Sequence, residues 1–245
     1  MDWFIFLVDC TLPYISFPIL GIGTIYRLWR WFSIPLPLRM GLAPIPTTQK
    51  GIAGRIAAEV FLFRTLFGSE RAFWFIVWPF HVAGLFTLGN HALGLADGLL
   101  ETYAPNIVVP QIKTILFVIG FFAWLLIAFL LYILIRRLYH VELRRMSFFS
   151  DYLAVLLLLG LVSAGAYMAF FTDTDMKAVA EWGTGLMTFH PTPVGSLIFS
   201  IHFLFAQTLF IYFPFSKLFH PLGQITSRLM TQKEELLNPE GKAVK

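Results

Sequence analysis

Five long apolar stretches alternate with polar segments along the chain, at about 3–25, 73–95, 114–135, 151–171 and 195–219. Each is apolar all round rather than along one stripe, the pattern of a helix with lipid or protein on every side. As helices they reach the roughly 30 Å needed to cross a bilayer core. The predicted fold class is therefore all-α integral membrane, a five-transmembrane-helix bundle, with 1–245 forming a single membrane domain and 221–245 a polar tail. No 20–50-residue repeat is visible. Span I carries Pro13 and Pro18, which predict a kink. Its start lacks the basic region and small-residue cleavage site of a signal peptide.

The connections carry information of their own. Between 33 and 53, Pro35, Pro37, Pro44 and Pro46 exclude a regular helix. Residues 54–67 are amphipathic, with Arg55, Glu59 and Arg64 at near-helical spacing. They read either as a helix lying at the inner surface or as an N-terminal extension of span II. A loop follows span II with Asp97, Glu101, Pro110 and Lys113. Span III ends at a strong stop signal, Arg136, Arg137, Arg144 and Arg145. The segment 172–194 reads as a loop with Asp173, Asp175, Glu181 and His190. Sixteen Lys and Arg lie in the segments after spans I and III and in the tail, against Lys113 and Lys177 on the other side. This bias places the N-terminus outside and the C-terminus in the cytoplasm, in a cytoplasmic (inner) membrane.

Composition agrees with the pattern. Hydrophobic residues make up 58 % of the chain and charged residues 13 %, against about 45–50 % and about 25 % in soluble domains. The single cysteine, Cys10, excludes an intrachain disulfide, a cysteine-ligated zinc and an iron–sulfur cluster held by this chain alone. There is no CxxCH, which excludes covalent c-type heme. The net charge of +4 belongs to topology and not to a nucleic-acid partner.

Candidate chemistry centres on four intramembrane histidines. His81 and His91 lie on span II, ten residues apart, roughly 80° in azimuth and about 15 Å in depth on an α-helix. His202 and His220 lie in the last apolar segment, eighteen residues apart; as one helix this is five whole turns and roughly 27 Å. Spans II and V run in opposite directions, so His81 matches His220 toward the cytoplasm and His91 matches His202 toward the outside. Two stacked hemes with bis-imidazole iron require such an arrangement. The unequal spacings leave each pair offset by roughly 6 Å, which tilt and a bend at Pro214 can absorb. Zinc or copper fits worse, because histidines three or five turns apart do not converge on one ion. Gly84, Gly89, Gly94 and Ala206 either leave room for a porphyrin or pack helices. His140 and His190 fall in loops and stay outside the ligand set. The rival reading is a heme-free transporter or proton-path protein, with the histidines and Asp97 as the path. It lacks an inverted repeat. A third is a heme-free membrane anchor.

The blocks DCTLPYISFPILGIGTIYR, FHVAGLFTLGNH, SDYLAVLLLLGLVSAG, EWGTGLMTFHP and IHFLFAQTLFIYFPFSKLFHPLG resemble the cytochrome b (gamma) subunit of respiratory nitrate reductases. Related membrane cytochromes occur in sulfite-reductase-associated and heterodisulfide-reductase-type complexes. The resemblance covers most of the chain in order. It implies five helices, two non-covalent b hemes on His81/His220 (inner) and His91/His202 (outer), and quinol oxidation near the outer one. The family's quinone-site lysine falls on Lys113, which otherwise reads as a snorkelling interfacial lysine. What the resemblance implies is electron transfer between menaquinone or ubiquinone and a cytoplasmic iron–sulfur subunit, seated on the basic loops.

Overall fold

The structure is a computed structural model that describes residues 2–33, 49–104, 106 and 112–235. The described residues are helical, with no strand among them. In chain order they form α1 (Asp2–Phe6), a π-turn (Leu7–Thr11), α2 (Pro13–Ser33), α3 (Gln49–Leu62), α4 (Arg64–Ser69), α5 (Arg71–Tyr103) and α6 (Ile112–Tyr139). Next come α7 (Val141–Met146), α8 (Phe149–Phe171), α9 (Met176–Met187) and α10 (Leu197–Tyr212). Two short 3₁₀ turns, Phe213–Phe215 and Lys217–Phe219, lead into α11 (His220–Glu235). Among the described residues, five helical segments are long and apolar enough to cross a membrane: Asp2–Ser33, Arg71–Leu100, Phe117–Tyr139, Phe149–Phe171 and Leu197–Phe215. The expected proline-rich loop lies outside the described residues, apart from its two ends.

The chain divides into two compact units, Met1–Gly21 with Pro79–Ser216, and Ile22–Trp78 with Lys217–Lys245. In the first, α8 packs against both α6 and α10. Phe170 of α8 meets Phe117, Phe121 and Trp124 of α6 with ring centroids 5.1 to 5.9 Å apart. Inside a bilayer apolar transfer does not drive helices together, so this interdigitation and the polar bonds hold the unit. At the head of α8, the Asp151 carboxylate accepts from the Phe148 N–H at 3.0 Å and pairs with Arg137 at 3.4 Å. The Tyr212 hydroxyl donates to the Ser150 carbonyl at 2.7 Å.

In span I the irregular backbone lies just before the first of its two prolines. Pro18 sits inside α2 without ending it, and the irregularity lies upstream at Leu7–Thr11. There the Leu12 N–H reaches back five residues to the Leu7 carbonyl at 2.9 Å. Proline at 13 has no N–H to donate, so the turn before it relaxes into the wider π geometry. The π-turn redirects backbone carbonyls outward. Trp182 Nε1 donates to the Asp9 carbonyl at 2.7 Å and Gln207 Nε2 to the Val8 carbonyl at 2.9 Å. Around them Val8, Phe199 and Phe203 form a buried cluster with Trp182.

The segment 172–194 is not only a loop. Residues 176–187 form α9, capped by the Asp175 carboxylate, which accepts from the Lys177 and Ala178 N–H groups at 2.9 and 3.2 Å. Span II likewise runs further than its hydropathy, so that Asp97 lies on α5 and not in a loop. Gly98 of α5 approaches the Met176 carbonyl so closely that a Cβ there would clash.

In the second unit the amphipathic stretch is two helices, and the first begins at Gln49, within the stretch where prolines predicted none. Phe63, at a left-handed φ of 50°, separates α3 from α4. Two indoles satisfy the last carbonyls of α3: Trp74 Nε1 donates to Leu62 O at 2.7 Å and Trp78 Nε1 to Phe61 O at 2.9 Å. The Glu59 carboxylate caps the start of α4 through the Thr65 N–H and hydroxyl at 3.1 and 2.8 Å. Near the α11 end, Arg27 lies over the Trp31 and Phe219 rings at 5.3 and 4.7 Å. Phe219 is fully buried.

Candidate functional site: a histidine pair between two spans

His91 and His202 come together. Their rings lie 5.8 Å apart, centroid to centroid, and within 11° of parallel. His202 stands on α10 facing α8, where its Nδ1 meets the Leu161 carbonyl at 2.9 Å. His91 stands on α5, where its Nδ1 meets the Thr87 carbonyl one turn back at 2.7 Å. A carbonyl only accepts, so each Nδ1 carries a proton, which makes Nε2 the nitrogen that the neutral ring would offer a ligand or metal. This is how a metal-binding imidazole is ordinarily oriented by a second partner.

The space around the pair is set by glycines. A Cβ at Gly165 would come within 2.9 Å of His202 Cε1, so α8 leaves that ring its position only by having no side chain there. A Cβ at Gly160 would come within 2.5 Å of the Phe205 ring. On α5, by contrast, a Cβ at Gly84 or Gly89 would meet nothing within 4 Å. Among the described residues, those two glycines therefore pack against no neighbouring helix of this chain. Nothing in their sequence separates Gly165 from the other small residues of SAGA; only the turn that faces His202 does.

The other two histidines fall in different units. His81 lies on α5 beside Phe80, with ring centroids 5.1 Å apart and the rings edge to face. α5 is one continuous helix through Pro79, so the ten-residue spacing from His81 to His91 keeps its helical meaning. The eighteen-residue spacing does not. The α-helix carrying His202 ends at Tyr212, and His220 opens α11 after two 3₁₀ turns and a bend at Ser216. Pro214 removes one backbone donor and the chain tightens around it, so five whole turns on one face is not the geometry of this stretch. His220 Nδ1 meets the Lys217 carbonyl at 3.1 Å. The same kind of bond is made by His190, to Thr188 O at 2.8 Å, so the bond orients a ring without by itself marking a ligand.

Lys113 stands in the first turn of α6, and its side chain is not among those described. The neighbouring loop with Pro110 also lies outside the described residues. Among the described residues, no three His, Cys, Asp or Glu side chains converge as a metal-ion site. The imidazole pair that the described residues bring together, His91 and His202, would suit a cofactor metal that takes two nitrogen ligands from the protein. Two polar atoms were not anticipated from sequence: Asn90 Oδ1, one residue before His91, and Asp9 Oδ1, both buried with no hydrogen-bond partner among the described residues.

The family model of the nitrate reductase gamma subunit matches residues 65–234. The chain belongs to the nitrate reductase gamma subunit family. The matched range holds all four candidate histidines and Lys113, and it begins after α3. The chain is also similar to two curated proteins, each named "Hdr-like menaquinol oxidoreductase cytochrome b-like subunit". That of Archaeoglobus fulgidus is 30 % identical over 253 residues, covering 86 % of this chain and 75 % of the relative. That of Archaeoglobus profundus is 26 % identical over 261 residues, covering 86 % and 74 %. Family membership and the five apolar helices together make this gamma-family subunit a multi-pass membrane protein.

Proposed function

We propose that this chain is a di-heme membrane cytochrome b. It passes electrons between the quinone pool and a cytoplasmic iron–sulfur subunit of a respiratory complex. The observation that carries the reading is the His91–His202 pair: two imidazoles from different spans, near-parallel, each with Nδ1 on a carbonyl and Nε2 left for iron. The relatives' names, which speak of a menaquinol oxidoreductase and a cytochrome b-like subunit, support the same chemistry. In this reading His91 and His202 hold the outer b heme, and His81 and His220 the inner one. The whole chain works as one membrane domain, with its N-terminus outside and its tail in the cytoplasm.

Each bound heme would supply a one-electron iron couple, and the protein would set its position, potential and surroundings. Leu161 O and Thr87 O fix the tautomer and orientation of the two outer imidazoles. Gly165 admits the His202 ring. Quinol would dock near the outer pair, with Lys113 donating to a quinone oxygen and protons leaving to the outer aqueous phase. The basic segments after spans I and III and the tail would seat the iron–sulfur partner.

The test is an optical one. Purified full-length protein, reduced with dithionite, is expected to show b-type Soret and α bands and two hemes per polypeptide by pyridine hemochrome. A colourless preparation that is folded and membrane-inserted contradicts the proposal.

A further inference from the structure

Asp9 sits inside an apolar span, is fully buried, and is not used by the reading above. Its Oδ2 accepts from the Val194 N–H at 3.3 Å, and its Oδ1 meets no donor among the described residues. Ser200, also fully buried, stands beside the carboxylate, yet its hydroxyl is turned to the Ser196 carbonyl at 3.2 Å. No cation lies against Asp9 among the described residues. An acidic group in a span, unpaired and with an orphaned oxygen, is costly to keep and points to a functional task. It also belongs to a π-turn, a deformation that gathers at functional positions.

The surroundings narrow what that task is. Cys10, next in the chain, is ionisable; its thiol donates to the Pro191 carbonyl at 3.7 Å. The groups meeting the turn from α9, from the following loop and from α10 are Trp182, Val194, Ser200 and Gln207, none of which titrates. Ser200 and His202 are two residues apart on α10, so Asp9 and the His91–His202 pair stand at similar depth on different faces of one helix. His202 turns its ring toward Leu161 and His91. Negative charge added at a centre held by this pair, in a medium of low dielectric, would raise the proton affinity of a carboxylate one helix away.

We infer that Asp9 is a redox-linked proton site: it binds one proton when the His91–His202 centre gains an electron and releases it when that electron moves on. This rests on the heme reading proposed above. The balance is that quinol yields quinone, two electrons and two protons. For each electron resting on the outer centre, Asp9 holds one proton, and it passes that proton to the outer aqueous phase as the electron leaves for the inner centre. The Ser200 hydroxyl is the adjustable donor: it turns to Oδ1 while Asp9 is ionised and back to Ser196 when Asp9 is protonated.

The experiment is a potentiometric titration of the holoprotein at several pH values around neutrality. Wild type is expected to show an outer-heme potential that falls as pH rises. Asp9→Asn is expected to keep both hemes and lose that slope, and Asp9→Glu to restore it. An unchanged slope in Asp9→Asn with full heme content overturns the inference and leaves the heme reading standing. Should Asp9→Asn fail to assemble, reduced-minus-oxidised infrared spectra of wild type in H₂O and D₂O decide. A protonated-carboxyl band appearing on reduction supports the site, and a spectrum without one overturns it. Wild-type protein lacking heme overturns both this inference and the function it rests on.

Discussion

The two helices that carry His91 and His202 hold their imidazoles in different ways. On α10 the ring of His202 is tied to a neighbouring helix, through Leu161 O, and wedged against Gly165. On α5 the ring of His91 is tied only to its own helix, through Thr87 O. The difference extends to the helices themselves: α10 buries Phe199, Ser200, Phe203 and Gln207, whereas the described residues of α5 are buried only at the small positions Ala83, Gly94 and Gly98. One ligand is therefore built into the protein core, and the other is presented on a helix with little protein cover. In the proposed cytochrome, the His202 side acts as the fixed anvil. His91 would be the ligand held by its own helix alone.

This comparison can be broken or sharpened in order of expected effect. His202→Ala or His91→Ala each removes an axial ligand and is expected to eliminate one of two hemes, halving reduced b-type absorbance per polypeptide. Gly165→Val comes next. Its Cβ alone would come within 2.9 Å of the His202 ring, and overpacking of this kind costs about 1–3 kcal/mol. Most of the outer heme is expected to be lost by the same assay. Gly84→Ala and Gly89→Ala, with nothing within 4 Å, are expected to retain wild-type heme content. Should Gly165→Val be silent and Gly84→Ala damaging, the assignment of the rigid side would be reversed. Smaller still is Asp175→Ala, which removes the cap of α9 at a cost of about 1 kcal/mol, read as a modest drop in thermal midpoint with heme content retained.

Much of this was legible in the chain because the relevant signals are local. Apolar length located five spans, and the His81–His91 spacing survives because α5 stays α-helical through Pro79. The spacing of His202 and His220 did not transfer, since Pro214 and the 3₁₀ turns break the helix between them. The α9 helix was missed because it is short and lies between spans; the Asp175 cap, followed by MKAVAEW, was the signal available. Gly165 and Asp9 could not be weighted from sequence at all. Their importance comes from what stands opposite them: His202 for one, Val194 and an unfilled acceptor position for the other. Contacts of that kind join residues more than a hundred positions apart or on separate spans, which a one-dimensional pattern does not encode.

The most direct test of the central claim is a redox titration of His202→Ala beside wild type, followed at the heme α band. Two one-electron components are expected in wild type and a single one, the inner, in the variant. Retention of both components in a correctly inserted His202→Ala protein would show that His202 binds no heme iron and would contradict the account.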